Sequence, residues 1–180
     1  LMDRMYDALR TVAKNAVPDR ALAVVNRVVV QFNRLATESP FGEEGPALLV
    51  HCCHHRSGTV WFTRVLSTVA RQYGLHFQGA DQDAMKPSTE VFLQDHSRID
   101  QSALPPYRGS HMIRDPRDMV VSGYHYHLWT EEEWAHHPRE QYDGQSFREA
   151  LNSVGKKRGL ILEMERFCEE DLQDMLQWDY

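Results

Sequence analysis

The sequence has no uninterrupted apolar run near the ~18 residues that a membrane-crossing helix needs. Its apolar stretch around Leu22 to Phe32 is interrupted by Asn26 and Arg27, so no transmembrane helix is expected. Cysteine is scarce: three in 180 residues, with no C-x-x-C pair. That excludes a disulfide framework and deprives a zinc site of its usual cysteine pair. Charge of one sign is never concentrated. The net charge is −6 and no block of like charge occurs, which excludes a nucleic-acid partner held by a basic surface. An anionic ligand must be held by a few local basic residues. The ATP-binding pattern G-x-x-x-x-G-K-[ST] is missing, as are internal repeats, low-complexity tracts and any domain linker. The first residues show no charged segment followed by an apolar core and a cleavage site. The chain begins on Leu1 rather than Met, so the expectation is that the native start lies upstream.

What is present suits one domain over residues 1–180, long enough to bury its own core. Met2, Met5, Leu9, Val12 and Ala13 predict a first helix. Pro18 ends it and Asp19 can cap a second, whose stripe is Leu22, Val25, Val29 and Phe32. Glu38 to Pro46 carries the residues of a loop. Cys52 and Cys53 lie side by side in an apolar run, which reads as reduced core thiols in a reducing, cytoplasmic compartment.

The most informative stretch runs from Ala47 to Tyr73. Ala47 to Cys53 is short, apolar and rich in β-formers, the pattern of a buried strand. Trp61, Val65, Leu66 and Val69 recur at helical spacing. Between them His54 to Thr59 must turn sharply, and Gly58 permits it. A strand, a tight turn and a helix leave free backbone N–H groups at the helix N-terminus, which is a site for phosphate or sulfate. Arg56 adds a fixed positive charge.

Further on, Leu75–Phe77, Val91–His96 and Tyr107–Ile113 read as strands, and Gly79 to Thr89 as irregular. Thr130 to Gly144 reads as a long, mostly irregular connection over the rim, or a short helix. Gln145–Val154 and Lys157–Trp178 read as helices, with Glu163, Glu165, Glu169 and Glu170 as a solvated face. Strands alternating with helices predict a three-layer α/β/α fold with a central parallel sheet. Ligands bind such sheets beyond the C-terminal strand ends. The His54–Thr59 turn, His96 and Arg114 all fall there.

A second motif spans Ile113 to Tyr124, IRDPRDMVVSGY. Asp115 can cap a helix, Pro116 suits its first position, and Asp118 can close a capping box. Arg114 then ends a strand while Ser122 lies about two turns into the helix, roughly 10 Å along its axis. An Arg side chain and a Ser hydroxyl at that spacing can meet one phosphate.

The pair HHRSGTVW and RDPRDMVVSGY, in this order, resembles the two nucleotide motifs of sulfotransferases that use 3′-phosphoadenosine-5′-phosphosulfate (PAPS). The likeness covers roughly Leu48 to Tyr180 and is closer to the cytosolic-type and bacterial members than to the Golgi enzymes. It implies a P-loop-like sulfotransferase fold and transfer of a sulfuryl group to a hydroxyl, less readily an amine, of a small-molecule or glycan acceptor. Carried over, Ser57, Gly58, Thr59 and Val60 would hold the 5′-phosphosulfate through backbone N–H groups, and Trp61 would stack on adenine. Arg114 and Ser122 would bind the 3′-phosphate. Arg56 stands where many cytosolic members have Lys. It cannot donate a proton, so its role would be electrostatic, at the leaving oxygen. His96 falls where the family carries its catalytic base, although its lead-in is Gln94-Asp95 rather than Lys-Thr. The chain stops at Tyr180, before the family's basic, glycine-rich C-terminal segment, so the expectation is a domain lacking that segment.

Ten histidines raise a metal reading, but the sequence argues against it. Consecutive Cys52 to His55 alternate faces in a strand. His125 and His127, two apart on a helix, do not share a face. No metal is therefore assigned. His51 and His111 read as strand or core residues, and His54 or His55 as pocket-lining. Two other readings stay open: a nucleotide kinase-like phosphotransferase, whose loop lysine is missing, and a non-catalytic, truncated nucleotide-binding module.

Overall fold

The computed structural model describes residues 19–36 and 48–178. The expected helix over Met2–Ala13 and the loop Glu38–Pro46 lie outside the described residues. Seven principal segments carry the fold up to the second motif: α1 Asp19–Ala36, β1 Leu48–Cys53, α2 Thr59–Gln72, β2 Phe77–Gly79, β3 Val91–Gln94, β4 Tyr107–Met112 and α3 Pro116–His127. After them come α4 Phe147–Ser153, α5 Lys156–Glu169 and α6 Asp171–Gln177. The four strands form one sheet in the order β2-β3-β1-β4, every pair parallel. The chain is thus α/β with an all-parallel sheet.

β1 is central because it is apolar on both faces, which a strand flanked by parallel neighbours requires. Leu48, Val50 and Cys52 point to one face and pack with Phe92, under Ile99, Leu104, Tyr107 and Trp178. Leu49 turns to the other face, where Leu66 and Ala70 of α2 and Leu75 meet Val91. Both β1 cysteines are buried and free. Burial pushes the Cys52 thiol up to about 12, so it stays protonated. A third cluster surrounds Tyr124, Phe147, Leu151 and Leu162 and joins α3, α4 and α5.

Several expected boundaries shift by one or two residues. The second strand begins at Phe77 rather than Leu75, and the third ends at Gln94. The cause is local: the Gln94 side chain accepts from the His96 and Arg98 amides, each at 2.9 Å. That folds the chain back, with Ser97 at φ 57, and removes His96 from the strand. The single helix expected over Lys157–Trp178 is two, broken at Glu170 (φ −113, ψ −82). In the capping motif, Asp115 accepts from the Arg117 amide and Pro116 opens α3, as expected, but the capping box expected from Asp118 is not formed. Arg117 itself pairs with Asp115 at 2.6 Å.

One reading needs correction. Glu163 does not belong to a solvated face; it is fully buried. His127 Nδ1 lies 2.7 Å from its carboxylate, and Arg166 Nη2 donates to it at 2.9 Å. Arg166 also reaches Asp171 and Glu170, each at 2.9 Å. An acid–base network therefore fastens α3, α5 and α6 where helical periodicity alone reads solvent.

Candidate functional site

The first half of the site is a turn that closes on itself. Ser57 Oγ donates to the His54 carbonyl at 2.6 Å and accepts from the His54 amide at 2.9 Å. The Ser57 amide also donates to the His54 carbonyl, at 3.0 Å. Both groups of buried Ser57 are therefore spent on shaping the loop. The fold-back sets Arg56 at φ 63 and Gly58 at φ 107, the left-handed region that glycine tolerates and arginine rarely adopts. Held strain of this kind concentrates at functional sites. Gly58 caps α2 with no side chain, and the first turn carries no acid. The orphan amides that open the helix are left for a ligand.

The second half comes from β4 and α3. Arg114 leaves the end of β4, and its Nη1 donates to the Arg56 carbonyl at 3.0 Å. Ser122 lies on α3, and its Oγ accepts from Arg56 Nε at 3.2 Å and Nη2 at 3.1 Å. One turn further along α3, Tyr126 lies under the same guanidinium, 4.3 Å from ring centroid to Cζ. The two motifs, far apart in sequence, are thus bonded directly.

Together they enclose a cavity of about 650 Å³. From the first motif Arg56, Gly58, Thr59, Val60 and Trp61 line it; from the second, Arg114 and Ser122 do. Trp61 and Val60 are exposed, and Trp61 stands edge-on to Phe62. Ser57 does not line the cavity, and neither does buried His54. Residues that sequence reading passed over also contribute: Arg64, Asp95, Tyr126 and Glu132. Helical spacing carried a signal for two of them, since Arg64 follows Val60 and Tyr126 follows Ser122 by four positions. Tyr124, inside the motif, instead packs in the core beneath α5.

His96 stands on the same rim but lines the neighbouring cavity, of about 560 Å³. His55, Asp95 and Glu132 border both. The His55 ring lies parallel between His96, 6.2 Å away, and His127, 5.5 Å away. Burial pushes His55 down to about 4, with Asp171 opposing and His127 and Arg166 adding to the effect. His55 is therefore neutral at pH 7, and its Nε2 is buried without a hydrogen-bond partner among the described residues. His54 is likewise pushed down to about 4, by burial and then by His111. Burial opposes ionisation of Glu132, yet hydrogen bonds from Tyr126 and Trp134 hold its carboxyl below the usual range. His51 is buried beside Ser110, and His111 lies 3.1 Å from His54, so both belong to the sheet. Among the described residues no three His, Cys, Asp or Glu side chains are grouped to hold a metal ion, and no helix is long and apolar enough to cross a membrane.

No family profile, curated protein or solved structure matches this chain.

Proposed function

We propose that the chain binds PAPS and transfers its sulfuryl group to an acceptor hydroxyl, on a P-loop-like sulfotransferase fold. One observation carries the reading: a single cavity gathers Arg56, Gly58, Thr59, Val60 and Trp61 of the first motif with Arg114 and Ser122 of the second. A donor with phosphate at both ends of its ribose needs two anion sites in one pocket. The uncapped start of α2 supplies one, and Arg114 with Ser122 supplies the other. When bound, the donor supplies a sulfuryl group with a phosphate as its leaving group.

The amides of Gly58, Thr59 and Val60 hold the 5′ end, with Ser57 setting the shape of the turn. Arg56 offsets the charge that grows on the leaving oxygen, the kind of help that counts most in a transition state. Trp61 offers an exposed ring for the adenine. His96, which lines the adjoining cavity, takes the acceptor proton on an imidazole nitrogen.

Ligand-dependent melting tests the reading, since a ligand that binds the folded state raises Tm. Adenosine 3′,5′-bisphosphate is expected to stabilise the protein more than Mg-ATP or ADP. Equal or greater stabilisation by Mg-ATP would transfer the site to a phosphotransferase.

A further inference from the structure

The cavity that adjoins the nucleotide pocket is walled by charge. Four carboxylates and three guanidiniums line its 560 Å³, with His55 and His96. Most of these groups are engaged. Arg166 is held by Glu163, Glu170 and Asp171, Arg98 pairs with Asp174, and Glu132 accepts from Tyr126 and Trp134. Asp95 differs: it is exposed, borders both cavities, and has no hydrogen bond or ion pair among the described residues.

Trp134 supplies the only ring in the lining besides the two imidazoles. It is already packed: Phe147 lies along it at 5.8 Å and 28°, His127 meets it edge-on, and the Arg166 guanidinium stands 5.3 Å from its centroid. A flat apolar acceptor entering here would strip water from Asp95 and its neighbours without a free aromatic face to stack on, a net cost. Hydroxyl groups behave differently. Each can donate to a carboxylate and accept from a guanidinium N–H. Ring hydroxyls spread around a sugar meet a wall that carries both kinds of partner.

We infer that the acceptor is a polyhydroxylated molecule of carbohydrate type, held in the Asp95–Glu132–Arg139 cavity with one hydroxyl presented at the Asp95–His55 border. The assignment rests on the sulfotransfer reading. In the step, the acceptor oxygen forms a bond to sulfur and its proton passes to a histidine. The bond from sulfur to the donor's phosphate oxygen breaks, and that oxygen keeps the electron pair. Asp95 accepts a hydrogen bond from a neighbouring hydroxyl and so positions the reacting one.

The test uses the whole chain with PAPS and two acceptor panels at equal concentration. One contains neutral and amino mono- and disaccharides; the other contains 4-nitrophenol, 2-naphthol and a steroid alcohol. Transfer is read as release of adenosine 3′,5′-bisphosphate together with the sulfated product, and binding of that bisphosphate is measured separately. The expected result is a kcat/KM for the best sugar at least tenfold above that for the best phenol or steroid. Asp95→Asn is expected to lower the sugar value about tenfold, mostly through KM, while bisphosphate affinity does not fall, since the change removes a negative charge bordering its cavity. Preferential transfer to the phenols overturns the carbohydrate assignment and leaves sulfotransfer standing; bisphosphate binding with no transfer to either panel overturns the carbohydrate assignment and leaves nucleotide binding alone. Absence of bisphosphate binding overturns both.

Discussion

Arg56 places its guanidinium on Ser122, donating to the same hydroxyl from Nε and Nη2, while its own carbonyl accepts from Arg114. The strand–turn–helix loop and the second motif therefore hold each other through one residue. Arg56 is kept in a left-handed conformation, φ 63, that costs of order 1–3 kcal/mol and persists only where its surroundings impose it. Here the surroundings are the closed Ser57 turn on one side and Arg114 with Ser122 on the other. A ligand anion in this pocket meets a cationic frame already assembled.

Arg114→Ala separates recognition from support. A charged hydrogen bond to phosphate is worth about 1.5–3 kcal/mol. The preference for adenosine 3′,5′-bisphosphate over adenosine 5′-monophosphate should therefore fall by roughly tenfold or more, measured by calorimetry on both ligands. Equal losses for the two nucleotides would mean that Arg114 acts only by propping the Arg56 carbonyl.

The parallel sheet and the rim were legible because β1 is apolar on both faces and because turn chemistry is local. Gly58, Pro116 and Asp115 announce their positions within a few residues. That Arg114 and Ser122 face one cavity was legible for the same reason, since a helix start fixed by Asp115 and Pro116 sets where Ser122 falls. The Arg56–Ser122 bond was not, because its partners lie 66 positions apart and no periodicity links them. Glu163 misled for a related reason. An acid among other acids reads as surface until Arg166 and His127 are known to meet it. His96 was placed at a strand end, but Gln94, a residue without a motif, decides by its side chain where that strand stops.

Gly123→Ala probes the buried network from the α3 side. A Cβ there would lie 2.5 Å from Glu163 Oε1, and that oxygen is fixed by Arg166, so it has little freedom to move away. Overpacking of this kind costs about 1–3 kcal/mol, or a few degrees of Tm per kcal/mol in a chain this size. Gly155→Ala is the packing control: its Cβ meets nothing within 4 Å, so only its place as the cap of α5 is touched, and its Tm should fall by less than that of Gly123→Ala. Equal Tm for both variants would mean that the Glu163 carboxylate is not held.

Acid should unfold the protein in a defined window. His54 and His55 titrate near 6.5 when unfolded and at about 4 when folded, because burial disfavours the cation. Between those values the unfolded chain binds more protons, so stability rises with pH. Their contribution is fully present above about 6.5 and is lost as pH falls toward 4. His111 adds to the shift at His54 and His127 and Arg166 add to it at His55, while Asp171 opposes both. Urea unfolding at half-unit pH steps checks this, with His54→Gln and His55→Gln each expected to flatten the slope. A slope unchanged in both variants would assign it to the carboxylates.

The last prediction concerns which histidine takes the acceptor proton. His96 stands where the resemblance puts the base, and it lines the 560 Å³ cavity. His55 lines that cavity too, borders the 650 Å³ cavity as well, and its Nε2 has no hydrogen-bond partner among the described residues. Burial lowers His55 to about 4, which makes it a weak proton acceptor at neutral pH. His96→Ala should therefore cost about 10²–10⁴ in kcat with little change in bisphosphate affinity. His55→Ala should raise KM for donor or acceptor while leaving the acid limb of the kcat–pH profile where it was. The comparison requires both variants to melt cooperatively, which circular dichroism checks first. If the large kcat loss and the displaced acid limb fall on His55 instead, the proton goes to the ring between the two cavities and His96 serves to pack it.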